Sequence, residues 1–154
     1  MSEPVEEIYE LESPYLGVVR VGIASGRVIS VSFPDVASDD SLHEHELLGR
    51  IDSYLDGIRV DFSNVEVALT VPTEHRNVLE TVQGIPYGNQ VSVQELANMT
   101  PQIDPEDDDA LDETVRIALA ENPVPLILPD HRVRDGPSSA PPRVEQRLRS
   151  IEGL

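Results

Sequence analysis

Apolar residues change their spacing along this chain, and the changes divide it into elements. The run YLGVVRVGIA, from Tyr15 to Ala24, is rich in β-branched residues, and Ser25-Gly26 follows it. Beyond that pair, Ile29, Val31 and Phe33 alternate with Ser30 and Ser32. Two extended runs about a glycine-containing turn predict a β-hairpin. Residues 1–13 are acidic and are expected to be frayed. Leu47, Leu48, Ile51, Tyr54, Leu55 and Ile58 fall at offsets 0, 1, 4, 7, 8 and 11, which predicts one apolar helical face over 43–58. Residues 59–71 look extended and are a candidate third strand.

The second half reads mainly as helix. Pro72-Thr73 opens a segment carrying Val78, Leu79 and Val82. Ile85-Pro86-Tyr87-Gly88 breaks it. Ser92 and Glu95 then stand at the N-cap and N3 positions of a capping box, flanked by Val91 and Leu96 as a hydrophobic staple, so a helix should start near residue 93. Leu111, Val115, Ala118 and Leu119 mark a further helix that ends at Asn122-Pro123. VPLIL, residues 124–128, reads as a buried strand-like run, and Val144, Leu148 and Ile151 mark a terminal helix. The expected fold is α/β: a β-containing lobe over 1–70 and a helical lobe over 71–154. The two consecutive short helices permit a helix-turn-helix reading.

Composition narrows the options. The chain has 154 residues, 29 acidic against 11 basic, and every basic residue is Arg. Such an acidic, Lys-free surface suits concentrated salt, where carboxylate repulsion is screened within about 3 Å at 1 M. A chain of net charge −18 is also a poor ligand for a polyanion unless positive charge is concentrated locally. There is no cysteine, hence no disulfide, thiolate metal site or thiol nucleophile. No apolar run approaches the roughly 20 residues of a membrane span, and MSEPVEEIYE has no signal-peptide h-region. The expectation is a cytoplasmic monomer without a membrane partner, cofactor or metal.

The acidic run from Asp104 to Asp112 has oxygen ligands for a hard cation but lacks EF-hand spacing, and is expected to be a solvated loop. His43 and His45 in HEHE point apart on a helix, so a shared metal ion is not expected. Arg143, Arg147 and Arg149 are expected to pair with the acidic body.

Two motifs carry a resemblance. IPYG-x-x-VS-x-x-ELA, Ile85 to Ala97, is followed by ENPVP-x-x-x-P-x-HRV, Glu121 to Val133. Together they resemble the alkylguanine-DNA alkyltransferase family, the methylated-DNA–protein-cysteine methyltransferases, whose active-site strip reads NP-x-P-x-x-x-PCHRV. The resemblance implies a helix-turn-helix lobe entering the minor groove of duplex DNA. It also implies an arginine that fills the gap left by a flipped base and a tyrosine that helps rotate the nucleotide. A cysteine, relayed through water, histidine and glutamate, would accept the alkyl group.

This chain departs from that pattern at the chemistry. Asp130 occupies the cysteine position, while His131, Glu152 and the hinge residue Asn122 match the family. Glu113 falls at the arginine-finger position and Val93 at the tyrosine position. Arg116, one turn after Glu113, is a candidate substitute on the DNA face, and Ser139 is a candidate in the loop that follows the strip. A carboxylate is a hard, weak nucleophile towards an alkyl–aryl ether, so alkyl transfer is not expected. The resemblance therefore implies a catalytically degenerate relative that binds duplex DNA with an alkylated base. The alternatives are an acidic protein-interaction scaffold with a protein partner, and a hydrolase using Asp130, His131 and Glu152.

Overall fold

The computed structural model describes residues 6–101 and 108–154. Three antiparallel strands, β1 (Glu7–Ser13), β2 (Gly17–Ala24) and β3 (Arg27–Ser32), lie in the order β1-β2-β3. The predicted hairpin is β2–β3. Its turn places Ser25 at φ 53° and Gly26 at φ 77°, and two successive left-handed residues match the right-handed twist of the strands. Strand β1 corrects the expectation of fraying for Glu7–Ser13, while residues 1–5 of that expectation lie outside the described residues. Tyr9 pairs with Val21, and the buried Glu10 carboxylate takes an ion pair from Arg20 at 3.0 Å and the Ser38 N–H at 2.8 Å.

Residues 59–71 form no named strand. They contribute one isolated bridge, in which Val28 donates to the Glu66 carbonyl and accepts from Ala68 N–H. On the same edge Val31 N–H donates to the Pro123 carbonyl, and on the opposite edge Leu42 accepts the Glu10 N–H of β1 and donates its own N–H to the Ile8 carbonyl.

Helix α1 (Glu46–Leu55) is shorter than the predicted 43–58, because the His45 ring caps it by accepting the Leu47 N–H. It buries Leu47, Leu48, Ile51, Tyr54 and Leu55 against the sheet. Helix α2 spans Thr73–Gln83, α3 Val93–Met99, α4 Asp108–Ala120 and α5 Pro142–Glu152. Both reciprocal bonds of the Ser92/Glu95 capping box are present. Helices α2, α3 and α4 pack together around Val78, Val82, Leu96, Val115 and Leu119. The first part of the acidic link before α4, with Asp104, Glu106 and Asp107, lies outside the described residues.

VPLIL is not a strand. Residues 124–128 wind through turns closed by Leu128 N–H to the Val124 carbonyl, with Leu126 at φ 77°. Pro123 and Pro125 lack the N–H groups a ladder needs, so the apolar run is buried as a coil. That coil and the start of α5 join the core beneath the sheet.

Candidate active site

A short 3₁₀ turn over Asp130–Arg132 carries three consecutive polar side chains into the interior. Five residues singled out in the sequence meet there: Asn122, Asp130, His131, Ser139 and Glu152.

Asn122 ties the preceding coil to the turn. Its amide donates to the Leu128 carbonyl at 3.0 Å and to Asp130 Oδ2 at 3.1 Å, and its own carbonyl accepts Val124 N–H. Asp130 is 1% exposed. Oδ2 also accepts the Ser139 N–H and hydroxyl, at 3.0 and 3.2 Å, and Oδ1 accepts the Ser138 hydroxyl at 2.5 Å. Burial pushes the Asp130 carboxyl up from its ordinary range, and the donors from Ser138, Ser139 and Asn122 pull it part of the way back. The carboxylate thus fastens loop 135–141 to the strip. Its lone pairs are spent on structure, which weakens an already poor nucleophile further.

His131 is fully buried. Its Nε2 lies 2.6 Å from Glu152 Oε2, while Nδ1 is buried with no hydrogen-bond partner. The carboxylate on Nε2 favours the proton there, leaving Nδ1 as a bare acceptor. Glu152 is held from four directions. Arg132 grips both oxygens, at 2.8 and 3.2 Å, Gly88 N–H reaches Oε1 at 2.9 Å, and the Tyr54 hydroxyl donates to Oε2. Gly88 makes its bond from φ 80°, a conformation costly for any other residue.

Desolvation would raise the Glu152 pKa, but the His131 and Arg132 bonds outweigh it and hold it down at about 2. Burial first, then the Glu152 charge, pushes the Tyr54 hydroxyl up, so it remains a donor. The folded Glu152 pKa lies below its ordinary 4.5, so its contribution to stability is complete above about pH 4.5 and fades as the pH falls towards 2. Acid unfolding of Glu152→Gln should therefore lose the part of the pH dependence that falls in that window. An unchanged acid limb would contradict this assignment.

Three further site residues, Tyr54, Arg132 and Ser138, carry no separate functional signal in the sequence. Tyr54 falls on an apolar helix face and Arg132 within the HRV strip. Of the DNA-side candidates, Ser139 lies here on Asp130 and the others lie elsewhere. Val93 is buried in the α2–α4 core, with its N–H donated to Asp135 Oδ1 at 2.7 Å. Glu113 is exposed on α4. Arg116 is occupied, bonding Asp112 at 2.7 Å and the Asp135 carbonyl at 2.9 Å. On α5, Arg143, Arg147 and Arg149 do not pair with carboxylates among the described residues, contrary to expectation. They donate to the Leu16, Leu55 and His131 carbonyls and so fasten the helix by its flanks. Among the described residues no group of three or more His, Cys, Asp or Glu side chains is placed to hold a metal ion, and no helix is long and apolar enough to cross a membrane.

This architecture is that of an alkyltransferase-type α/β protein. The Mycobacterium tuberculosis O6-methylguanine methyltransferase superimposes with a TM-score of 0.75 at 19% identity, over 97% of this chain and 92% of that one. The Pyrococcus kodakaraensis O6-methylguanine-DNA methyltransferase gives 0.67 at 19% identity, over 97% and 100%. No family model matches the chain. Among sequences, the methylated-DNA–protein-cysteine methyltransferase of Sulfolobus acidocaldarius is 30% identical over 82% of this chain and 77% of its own length. That of Methanopyrus kandleri is 36% identical over 58% of this chain, the match spanning 62% of that relative. The chain belongs to the methylated-DNA–protein-cysteine methyltransferase family, and it does so without a cysteine.

Proposed function

We propose that this protein recognises an alkylated base in DNA and does not accept the alkyl group. The observation that carries the reading is the state of Asp130. The residue at the acceptor position is buried, and both its oxygens are committed to Ser138, Ser139 and Asn122. Next to Asn122 and Ser139 an open, mainly apolar cavity of about 460 Å³ is bordered by Pro123, Pro125, Pro141 and the Ser30–Phe33 stretch. Its size and apolar lining suit a planar, alkyl-bearing ring. A solved structure of the Mycobacterium tuberculosis relative holds DNA, which supports the same class of ligand here.

The exposed carboxylate of Glu113 and the occupied Arg116 favour a second reading, an acidic protein-binding face that has left DNA. One titration separates them. Duplex DNA with and without an O6-alkylguanine is titrated in molar KCl against the natural chain and Glu113→Arg. The proposal expects preference for the alkylated duplex and no mass gain on the protein. It also expects Glu113→Arg to tighten binding to both duplexes by about 1–3 kcal/mol through a new contact in the groove. If only the variant binds, the interaction reading takes precedence. Alkylation of the natural chain would refute both.

A further inference from the structure

A second cavity, of about 280 Å³, lies between segments 59–63 and 83–87, away from Asp130. Its chemistry is unlike that of the rest of the chain. Arg59 and Arg132 both line it, and both rest against the Tyr87 ring, 5.5 and 5.8 Å from its centroid. Arg132 is 7% exposed. Of its five N–H bonds, those on Nε, one on Nη1 and one on Nη2 go to Glu152 and the Ile85 carbonyl, which leaves two. Arg59 has neither a hydrogen bond nor a carboxylate within ion-pair distance among the described residues. A guanidinium left unpaired in a chain of 29 carboxylates is out of keeping with its surroundings.

One carboxylate, Asp61, lines the same cavity. Its Oδ1 accepts the Ser63 N–H at 2.8 Å, and Arg50 donates to its main-chain carbonyl from the side. That bond and the nearby arginines hold Asp61 below the usual carboxylate range, so it stays an acceptor. Two guanidinium forks with spare donors therefore face one carboxylate that can only accept. Sulfate offers no hydrogen to such a carboxylate, whereas phosphate in both forms populated near neutral pH keeps a P–OH.

We propose that this cavity is a binding site for inorganic phosphate, with Arg59 and Arg132 donating to its charged oxygens and Asp61 accepting its remaining proton. Guanidinium forks suit tetrahedral oxyanions through paired N–H bonds, and the Asp61 carboxylate makes the site selective for a protonated one. The bound ion joins segment 59–63 to Arg132, so occupancy stabilises the fold by mass action. The site is independent of the reading of Asp130.

The test is a titration of the full chain with inorganic phosphate, sulfate and a phosphomonoester at constant ionic strength and neutral pH. It follows the melting temperature and the backbone amide resonances of Gly84 and Tyr87. Phosphate at millimolar concentration should raise the melting temperature and move both resonances. Sulfate and the monoester dianion, which lack the hydrogen, should bind roughly tenfold or more weakly. Arg59→Ala, at an exposed position, should abolish the phosphate response, and Asp61→Asn should remove the preference for phosphate over sulfate. Equal responses to phosphate and sulfate in the natural chain would overturn the proposal, as would an undiminished response in Arg59→Ala or an absence of any shift at Gly84 and Tyr87.

Discussion

Asp130→Cys should accept an alkyl group from a soluble O6-alkylated guanine, stoichiometrically and irreversibly, where the proposal expects the natural chain to accept none. The free base is the substrate of choice because its reaction does not require this acidic chain to bind a polyanion. The expectation rests on what already surrounds position 130. His131 Nδ1 is buried and unpartnered, Nε2 is fixed by Glu152, and Ser138, Ser139 and Asn122 supply donors suited to a thiolate as well as a carboxylate. By the relay that the family resemblance implies, a thiol there would pass its proton to His131 through water, while Glu152 balances the resulting imidazolium. The thiolate sulfur then displaces the guanine oxygen at the alkyl carbon, forming the C–S bond as the C–O bond breaks, and the guanine takes up a proton. Intact-mass measurement reads one added alkyl group per chain. Adding His131→Ala to the variant should slow the reaction by about 10²-fold or more, the usual scale for loss of a positioned base. If Asp130→Cys folds and stays unmodified, the pocket has lost more than its nucleophile.

The largest effect on stability is expected from Glu152→Ala, a loss of about 3–5 kcal/mol, the range for removing one partner of a buried ion pair. Glu152 is where three distant parts of the chain meet: Tyr54 from α1, Gly88 from the turn before α3, and His131 with Arg132 from the 3₁₀ turn. Its loss leaves a buried guanidinium without its anion and a buried hydroxyl without its acceptor. Denaturant unfolding checks the figure. Glu152→Gln keeps the shape and one acceptor and should cost less, and a cost as small as that of a surface substitution would mean the network is not holding α5. The carboxylate that relatives are expected to use in chemistry is, in this chain, first a structural joint.

Several features were legible in the sequence because their cause is local. The capping box at Ser92 and Glu95 and the left-handed pair Ser25-Gly26 are each decided within four residues. Strand β1 was not legible, because Glu10 is buried only by virtue of Arg20 on the neighbouring strand and Ser38 beyond it. VPLIL misleads for the converse reason, since its apolar residues are buried as expected but its Pro125 and the adjoining Pro123 forbid the ladder that burial suggests. At the site, the HRV strip and the terminal glutamate could be aligned by motif. Tyr54 could not, because an apolar helix face gives no sign that one of its hydroxyls reaches a carboxylate 98 positions away. Arg59 was likewise invisible, since an unpaired cation is defined by the neighbours it lacks.

Both borders of the small sheet already have backbone company. Beside β1, Leu42 accepts the Glu10 N–H and donates to the Ile8 carbonyl, and beside β3 the Glu66, Ala68 and Pro123 main chains take up Val28 and Val31. For a chain of net charge −18 this matters most where the charge counts least. In dilute buffer, mutual repulsion keeps copies apart. In molar salt that repulsion reaches only about 3 Å, and an open strand margin would be free to template pairing between molecules. Here the sheet's margins are closed by main-chain bonds that salt does not screen, so the protection of its edges does not depend on the chain's charge.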